Sequence, residues 1–330
     1  MSIIRRVAAV AAFSALSAVS IGTAAFAQIV TTQGDTISDS AAVYATFQAD
    51  VTDVKTSTFD STGDIETSLR NLGGQNASQL TGGFIAYSAL VASQDPEFRA
   101  SVRDIEGFYG RESLLLGLAN DVRYARQLEG GTSAVTSSLS AVAADSRRLR
   151  GAGAYVKEQA YTLQGTGWAK SRFSNKDSVL DHLSTGTGRP VSAGLRAAFA
   201  DANIDNVLIQ AGQSGAPSLW DGVNSAASAI RFPTLSIAYS GNTTRVAAGR
   251  ERVADQIATL AAYRVLGSST VAAGTVRQSM TETQTRNCFQ TARLNLQQCV
   301  AAVHQHHEAP FCIGEHALTE IGDCIGDITQ

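Results

Sequence analysis

The densest gathering of side chains able to bind a metal or form a covalent bond in this 330-residue chain lies between residues 288 and 330, which hold all four cysteines and four of the five histidines. The run His304-Gln-His-His-Glu308 puts His304, His307 and Glu308 at offsets of three and four, so one helical face would carry all three. A returning helix would bring His316 toward them. Neutral imidazoles beside a carboxylate suit zinc, nickel or copper(II), and these four residues are therefore candidate ligands for such an ion. The competing reading is that His304, His306 and His307 cover a solvated hairpin tip, where they favour the negative C-terminal end of a helix.

The cysteines stand at 288, 299, 312 and 324. An even count in an oxidising compartment reads first as disulfides, and three pairings exist. Helix geometry chooses among them if Val276 to His304 is one helix and Ile313 to Ile328 another, joined near Pro310. Cys288 and Cys299 would then lie about 16 Å apart along the axis, and Cys312 and Cys324 about 18 Å, so neither pair can bond internally. In an antiparallel hairpin these near-equal spacings match only when the bonds are nested, Cys288 with Cys324 and Cys299 with Cys312. Eleven residues bring Cys299 to within about 20° of Cys288, so both face one partner. Twelve leave Cys324 about 120° from Cys312, which requires Cys312 to sit in the turn before regular helix begins. Nothing here has the C-x2-C spacing of a zinc knuckle, a C-x-x-C redox pair or a C-x-x-C-H haem site.

Motifs for catalysis are missing. Gly212-Gln-Ser-Gly-Ala216 fails the nucleophile-elbow pattern at its last position, and no H-E-x-x-H occurs. Gly151-Ala-Gly153 and Thr185-Gly-Thr-Gly-Arg-Pro190 lack the remaining residues of nucleotide-binding fingerprints. His182 reads as a helix-surface residue, and Asp201 and Asp205 have no partner that spacing alone can assign.

The positioning elements begin with an export leader. Arg5 and Arg6 precede an Ala/Val/Ser-rich stretch from Val7 to Ala27 that ends in Ala25-Phe26-Ala27, the layout of a secretory signal peptide cut between Ala27 and Gln28. An uncleaved anchor is the alternative, against which stands the use of Ala, Ser and Gly in place of Leu and Ile. Removing the leader takes two positive charges and moves the formal charge from -3 to 24 - 29 = -5. A mildly acidic chain carries no overall electrostatic footprint for nucleic acid or anionic lipid. Lysine occurs only at Lys55, Lys157, Lys170 and Lys176. No later run approaches the roughly 20 apolar residues of a membrane span, so the mature chain is expected in the periplasm or outside the cell.

Beyond the leader the pattern is helical, and the expected class is an all-α multi-helix bundle with long packed helices and a C-terminal disulfide-clamped hairpin. Val135, Leu139, Val142, Ser146, Leu149, Gly153, Val156, Ala160 and Leu163 keep alternating steps of four and three over four heptads. The small layers Ser146, Gly153 and Ala160 would admit a partner helix closely. Asp95-Pro-Glu97 reads as a helix start, with a cap, a first-turn proline and an acid at the positive end. Asn242-Thr-Thr244 offers caps for a helix through Val246, Val253, Ile257 and Leu260, closed by Gly267. Residues 28–164 form an N-terminal helical bundle region, 165–190 a loop or linker, 191–275 a second helical region, and 276–330 the Cys/His-rich hairpin. Within the second region periodicity is poor from Asn206 to Gly241, and Phe232 to Tyr239 reads as extended loop.

Gln94-Asp-Pro-Glu-Phe98, Val156-Lys-Glu-Gln-Ala-Tyr161 with Trp168, and the cysteine-rich tail together resemble exported helical proteins of alphaproteobacteria that have no characterised activity. The resemblance implies no activity. The expected function is a non-catalytic helical scaffold of the periplasm or cell envelope that presents a surface to a protein partner. The alternatives are a metal-binding or metal-sensing module at His304, His307 and Glu308, and an enzyme whose site no motif reveals.

Overall fold

The computed structural model describes residues 35–200, 204–214, 220 and 244–330. The leader with its cut at Ala27 and the extended stretch from Phe232 to Tyr239 lie outside the described residues.

Helix α1 (Thr36–Thr56) starts where the Asp35 side chain accepts from the backbone N–H of Ile37, and Asp35 also pairs with Arg264 at 2.8 Å. Helix α2 (Thr62–Gly73) opens with a capping box between Ser61 and Asp64. Helix α3 (Ala77–Ala92) is apolar on every face, which marks a core helix, and thirteen of its 16 residues are buried. It crosses α1 at Gly83, where a Cβ atom would stand 2.8 Å from the carbonyl oxygen of Ser40.

Helix α4 (Pro96–Tyr109) begins as its sequence predicts, with Asp95 accepting from the N–H of Phe98 at 2.9 Å. Gly110, at φ +83°, both ends α4 and starts α5 (Arg111–Asn120), a reversal that an L side chain resists. After the single turn α6 (Tyr124–Gln127) comes α7 (Gly131–Leu163), whose 33 residues span about 50 Å. All nine predicted seam residues from Val135 to Leu163 are buried.

The Gly165 to Pro190 stretch is more structured than a linker. It holds a 3-10 turn at Trp168–Lys170 and helix α8 (Lys176–Thr185), which buries Val179 and Leu183. Two short helices follow, α9 (Ala193–Ala200) and α10 (Ile204–Ser214). The second corrects the aperiodic reading from Asn206 onward: Val207, Leu208 and Ala211 are buried, a face too short for periodicity to stand out. The helix predicted from Asn242 starts later, as α11 (Glu251–Val265), because Gly249 takes φ +81°. Val246 instead makes an isolated antiparallel bridge with Thr329, and Ala247 N–H donates to Ile328 O at 3.0 Å. Gly267 closes α11 as expected, at φ +63°.

The single helix expected from Val276 to His304 is two, α12 (Ala273–Ser279) and α13 (Thr283–Ala302). The break falls where Glu282 turns its carboxylate onto the N–H groups of Gln284 and Thr285 and caps a new helix. The returning segment comprises a 3-10 turn at His306–Glu308, helix α14 (Ala309–Cys312), a π-helical stretch at Ile313–Thr319 and helix α15 (Glu320–Gly326). The described residues belong to one compact unit, 33–330, so the regions read as N-terminal bundle and second helical region share a core, with α11 against α3.

The small layers of α7 receive this returning segment. A Cβ at Gly153 would lie 2.6 Å from Gly314 O and 2.4 Å from Thr319 Oγ1, while Ser146 Oγ donates to Gly322 O at 2.7 Å. Glycines on both sides thus let two backbones touch. On α7 itself Gly151 faces open space. Gly153→Ala should therefore cost about 2 kcal/mol by overpacking, whereas Gly151→Ala should gain about 1 kcal/mol from helix propensity. Urea unfolding of the two variants checks this, and the same sign for both would refute the close approach.

Candidate functional site

The C-terminal tip is built on the nested bonds the spacing predicts: Cys288 joins Cys324 and Cys299 joins Cys312, each with Cα atoms 5.7 Å apart. How the second helix meets this demand differs from expectation. Cys312 lies in helical backbone, not in a preceding turn. The π-helical residues Ile313–Thr319 close wider turns, advancing each residue by about 18° less than an α-helix, so seven of them lose roughly 125°. That offsets the 120° or so by which twelve α-helical residues would have separated Cys324 from Cys312. The widened turn supplies the rotation that two bonds to one helix face require.

The proposed metal ligands are not drawn together. Helix α13 ends at Ala302, so His304 and His307 share no helical face. The Glu308 carboxylate turns back to accept from the backbone N–H of His304 at 2.6 Å, capping the short turn that follows. His304 is exposed at a polar cleft. His307 lines a different hollow of about 310 Å³, with Tyr161, Phe311 and the Cys299–Cys312 bond. His316 Nδ1 lies 2.9 Å from Glu320 Oε1, its neighbour one turn on. Among the described residues no group of three or more His, Cys, Asp or Glu is arranged to hold a metal ion.

His306, given no separate role in the sequence, is the buried histidine, 4% exposed. Its ring packs on Phe173 with centroids 4.9 Å apart, Nδ1 lies 3.1 Å from Ser171 O and 3.0 Å from Ser171 Oγ, and Nε2 is 3.7 Å from Glu66 Oε1. Serine, histidine and glutamate in a row invite comparison with a hydrolytic triad. The geometry argues against it. The Ser171 hydroxyl donates to Trp168 O at 2.6 Å, and 3.7 Å is too long for a hydrogen bond from Nε2 to Glu66. His306 serves instead as a clasp between the tip and the loop after Trp168, reinforced by Phe173 N–H donating to His304 O and His306 N–H donating to Ser171 O. The partners are 135 residues apart, beyond the reach of any local pattern.

A second concentration of polar chemistry is interior. Asp145 on α7 accepts from Tyr44 Oη at 2.9 Å and Trp220 Nε1 at 2.7 Å, and Gln48 Nε2 donates to Tyr44 Oη. Arg148 extends the network to Gln48 and Thr52. Asp145 is 1% exposed, and burial raises its carboxyl to about 6 against the hydrogen bonds from Trp220 and Tyr44. The Tyr44 and Tyr87 hydroxyls are pushed well up by the same burial. Nearby Asp50, 2% exposed, is raised to about 7 by burial despite its pairing with Arg189. With Asp145, Tyr44, Tyr87 and Trp220 all buried, the cluster ties α1, α3 and α7 together.

At the surface, the corner between α4 and α5 exposes Phe108, Tyr109 and Leu116 by 79%, 62% and 62%. The two rings meet edge to face at 4.7 Å. Beside them Glu106 accepts from Arg103 at 2.7 Å and Arg111 at 2.6 Å, and these bonds hold its carboxyl below the usual range.

Comparison with known proteins finds no matching family model, no matching curated protein and no matching solved structure. Two disulfides without a free cysteine fit an oxidising compartment, and no described helix is long and apolar enough to cross a membrane.

Proposed function

We propose that this chain is an exported, non-catalytic helical scaffold of the bacterial periplasm or cell envelope, and that it binds a protein partner through the corner between α4 and α5. The observation that carries the reading is the exposure of Phe108, Tyr109 and Leu116 within nine residues of a helical corner, flanked by Arg103 and Arg111. Soluble chains bury large aromatics where they can, and aromatic anchors beside arginine are the composition of interface hot spots. The Arg103–Glu106–Arg111 ion pairs form a polar rim beside this apolar patch, the arrangement of an interface with an apolar centre and a polar edge. Export is supported by the leader ending at Ala27 and by the two disulfides. The metal reading of His304, His307, Glu308 and His316 has no convergence to rest on among the described residues.

A photoreactive residue in place of Tyr109 tests the proposal in intact envelopes. One discrete protein adduct is expected, absent when the same residue replaces exposed Thr291 and lost when Phe108→Ser and Leu116→Ser are added. Because both side chains are exposed, that double variant should melt within about 2 °C of the wild type. Equal labelling at both positions, or an adduct indifferent to the double variant, would contradict the reading.

A further inference from the structure

The polar cleft of about 540 Å³ at the tip lies between the loop around Lys170 to Ser174, the start of α8 and the chain leaving α13. Its charge runs opposite to that of the protein. Acids outnumber bases 29 to 26 over the chain, yet two of its four lysines, Lys170 and Lys176, line this one cleft together with Arg172. Asp177 is the acid among the lining residues, which leaves 3 - 1 = +2 with His304 counted neutral.

The state of these cations matters more than their number. Lys176 Nζ donates to Ala301 O at 2.9 Å and Val303 O at 3.0 Å, neutralising the negative end of α13 at the wall of the cleft. Lys170 and Arg172 make no side-chain hydrogen bond or ion pair among the described residues, so their charge is available to a ligand. Behind the start of α8, Glu66 accepts from Asn175 Nδ2 at 3.3 Å on both oxygens. With its side chain so engaged, Asn175 makes no side-chain cap for α8, and the first-turn N–H groups of a ten-residue helix are left without one at the cleft's edge.

The walls are held in advance. An antiparallel bridge joins Arg172 to Gln305, Phe173 N–H donates to His304 O at 3.0 Å, and the His306 clasp and the Cys299–Cys312 bond fix the opposite side. Ordering has been completed before any ligand arrives, so binding need not supply it. A concave volume of this size fits a small molecule.

We infer that this cleft binds a small soluble ligand through a phosphate or similarly compact dianionic group, with Lys170 and Arg172 making the direct contacts and Lys176 adding long-range attraction. The site is separate from the protein-binding corner and stands or falls without it. Inorganic pyrophosphate is the probe, titrated into the oxidised full-length mature chain and followed by amide NMR at low salt. Saturable shifts confined to residues 170–177 and 303–306 are expected. The double variant Lys170→Ala/Arg172→Ala should weaken binding by about 100-fold, two charge-assisted contacts at roughly tenfold each, while Arg277→Ala leaves it unchanged. Both removed side chains are exposed, so an unchanged melting temperature will show that the loss is local. Non-saturating or scattered shifts, equal affinity in the double variant, or retention by phosphatidylglycerol vesicles without any pyrophosphate binding would each overturn the inference.

Discussion

Loss of both disulfides is expected to lower the free energy of unfolding by about 7 kcal/mol. The Cys288–Cys324 bond closes a separation of 36 residues and the Cys299–Cys312 bond one of 13, and restricting the unfolded chain by loops of these lengths contributes about 4 and about 3 kcal/mol. Against a usual total of 5–15 kcal/mol for a folded domain, that is a major share. The physical reason for such dependence is visible at the interface with α7. Glycine meets glycine there, at Gly153 and Gly314, so the contact is close but has few side-chain atoms to bury. Covalent restraint makes up for sparse apolar area. Guanidinium unfolding of the oxidised chain, of Cys288→Ser/Cys324→Ser and of Cys299→Ser/Cys312→Ser measures each bond, and the outer should cost about 1 kcal/mol more than the inner. A midpoint insensitive to both pairs would show that packing alone secures the tip.

The second large effect is with pH. Asp50 and Asp145 hold their protons to about 7 and about 6 when folded, against a normal value of 3.8. Between those limits the native state binds protons that the unfolded chain has released, so the stability from these two groups is fully present below pH 3.8 and is lost as pH rises through 6 and 7. From pH 5 to pH 8 the loss is about 3 kcal/mol for Asp50 and about 1 kcal/mol for Asp145. Glu106 and Glu282 have depressed values and act in the opposite sense, but only at more acid pH, as each falls through its own range. Asp50→Asn removes the larger dependence. Relative to the wild type it should gain about 3 kcal/mol on going from pH 5 to pH 8, read from urea unfolding at each. Parallel pH profiles for the two proteins would mean that Asp50 is ionised inside the fold throughout.

How much of this was legible beforehand differs by the range of the interaction. The seam from Val135 to Leu163 and the Asp95 cap are local patterns with one physical solution each, and both stand in the structure as read. The disulfide pairing was legible because axial spacing along a helix depends only on residue count. The π-helical stretch was not, since nothing in Ile313-Gly-Glu-His-Ala-Leu-Thr319 marks a widened turn; the 120° mismatch was the sole clue, and it was resolved in sequence by moving Cys312 into a turn.

Misplaced helix ends had the largest consequences. The metal reading required α13 to continue to His304. It stops at Ala302, with Lys176 from α8 on its last carbonyls, a contact between residues more than a hundred apart in sequence. The same distance hid the basic cleft, whose walls come from residues 170–177 and 303–305. Its three cations all lie within residues 170–176, and it is the His306 clasp that brings residues 303–305 against them as the other wall. Exposed Phe108 and Tyr109 were equally silent, because apolar residues in an amphipathic helix read as core until burial is known.

Peptide mapping of the protein recovered from native envelopes, digested without reduction, tests the central claim of an exported scaffold with a covalently closed tip. The mature chain should begin at Gln28, with peptides linked Cys288 to Cys324 and Cys299 to Cys312 and no free thiol. Free cysteines, or a crossed or sequential pairing, would contradict it.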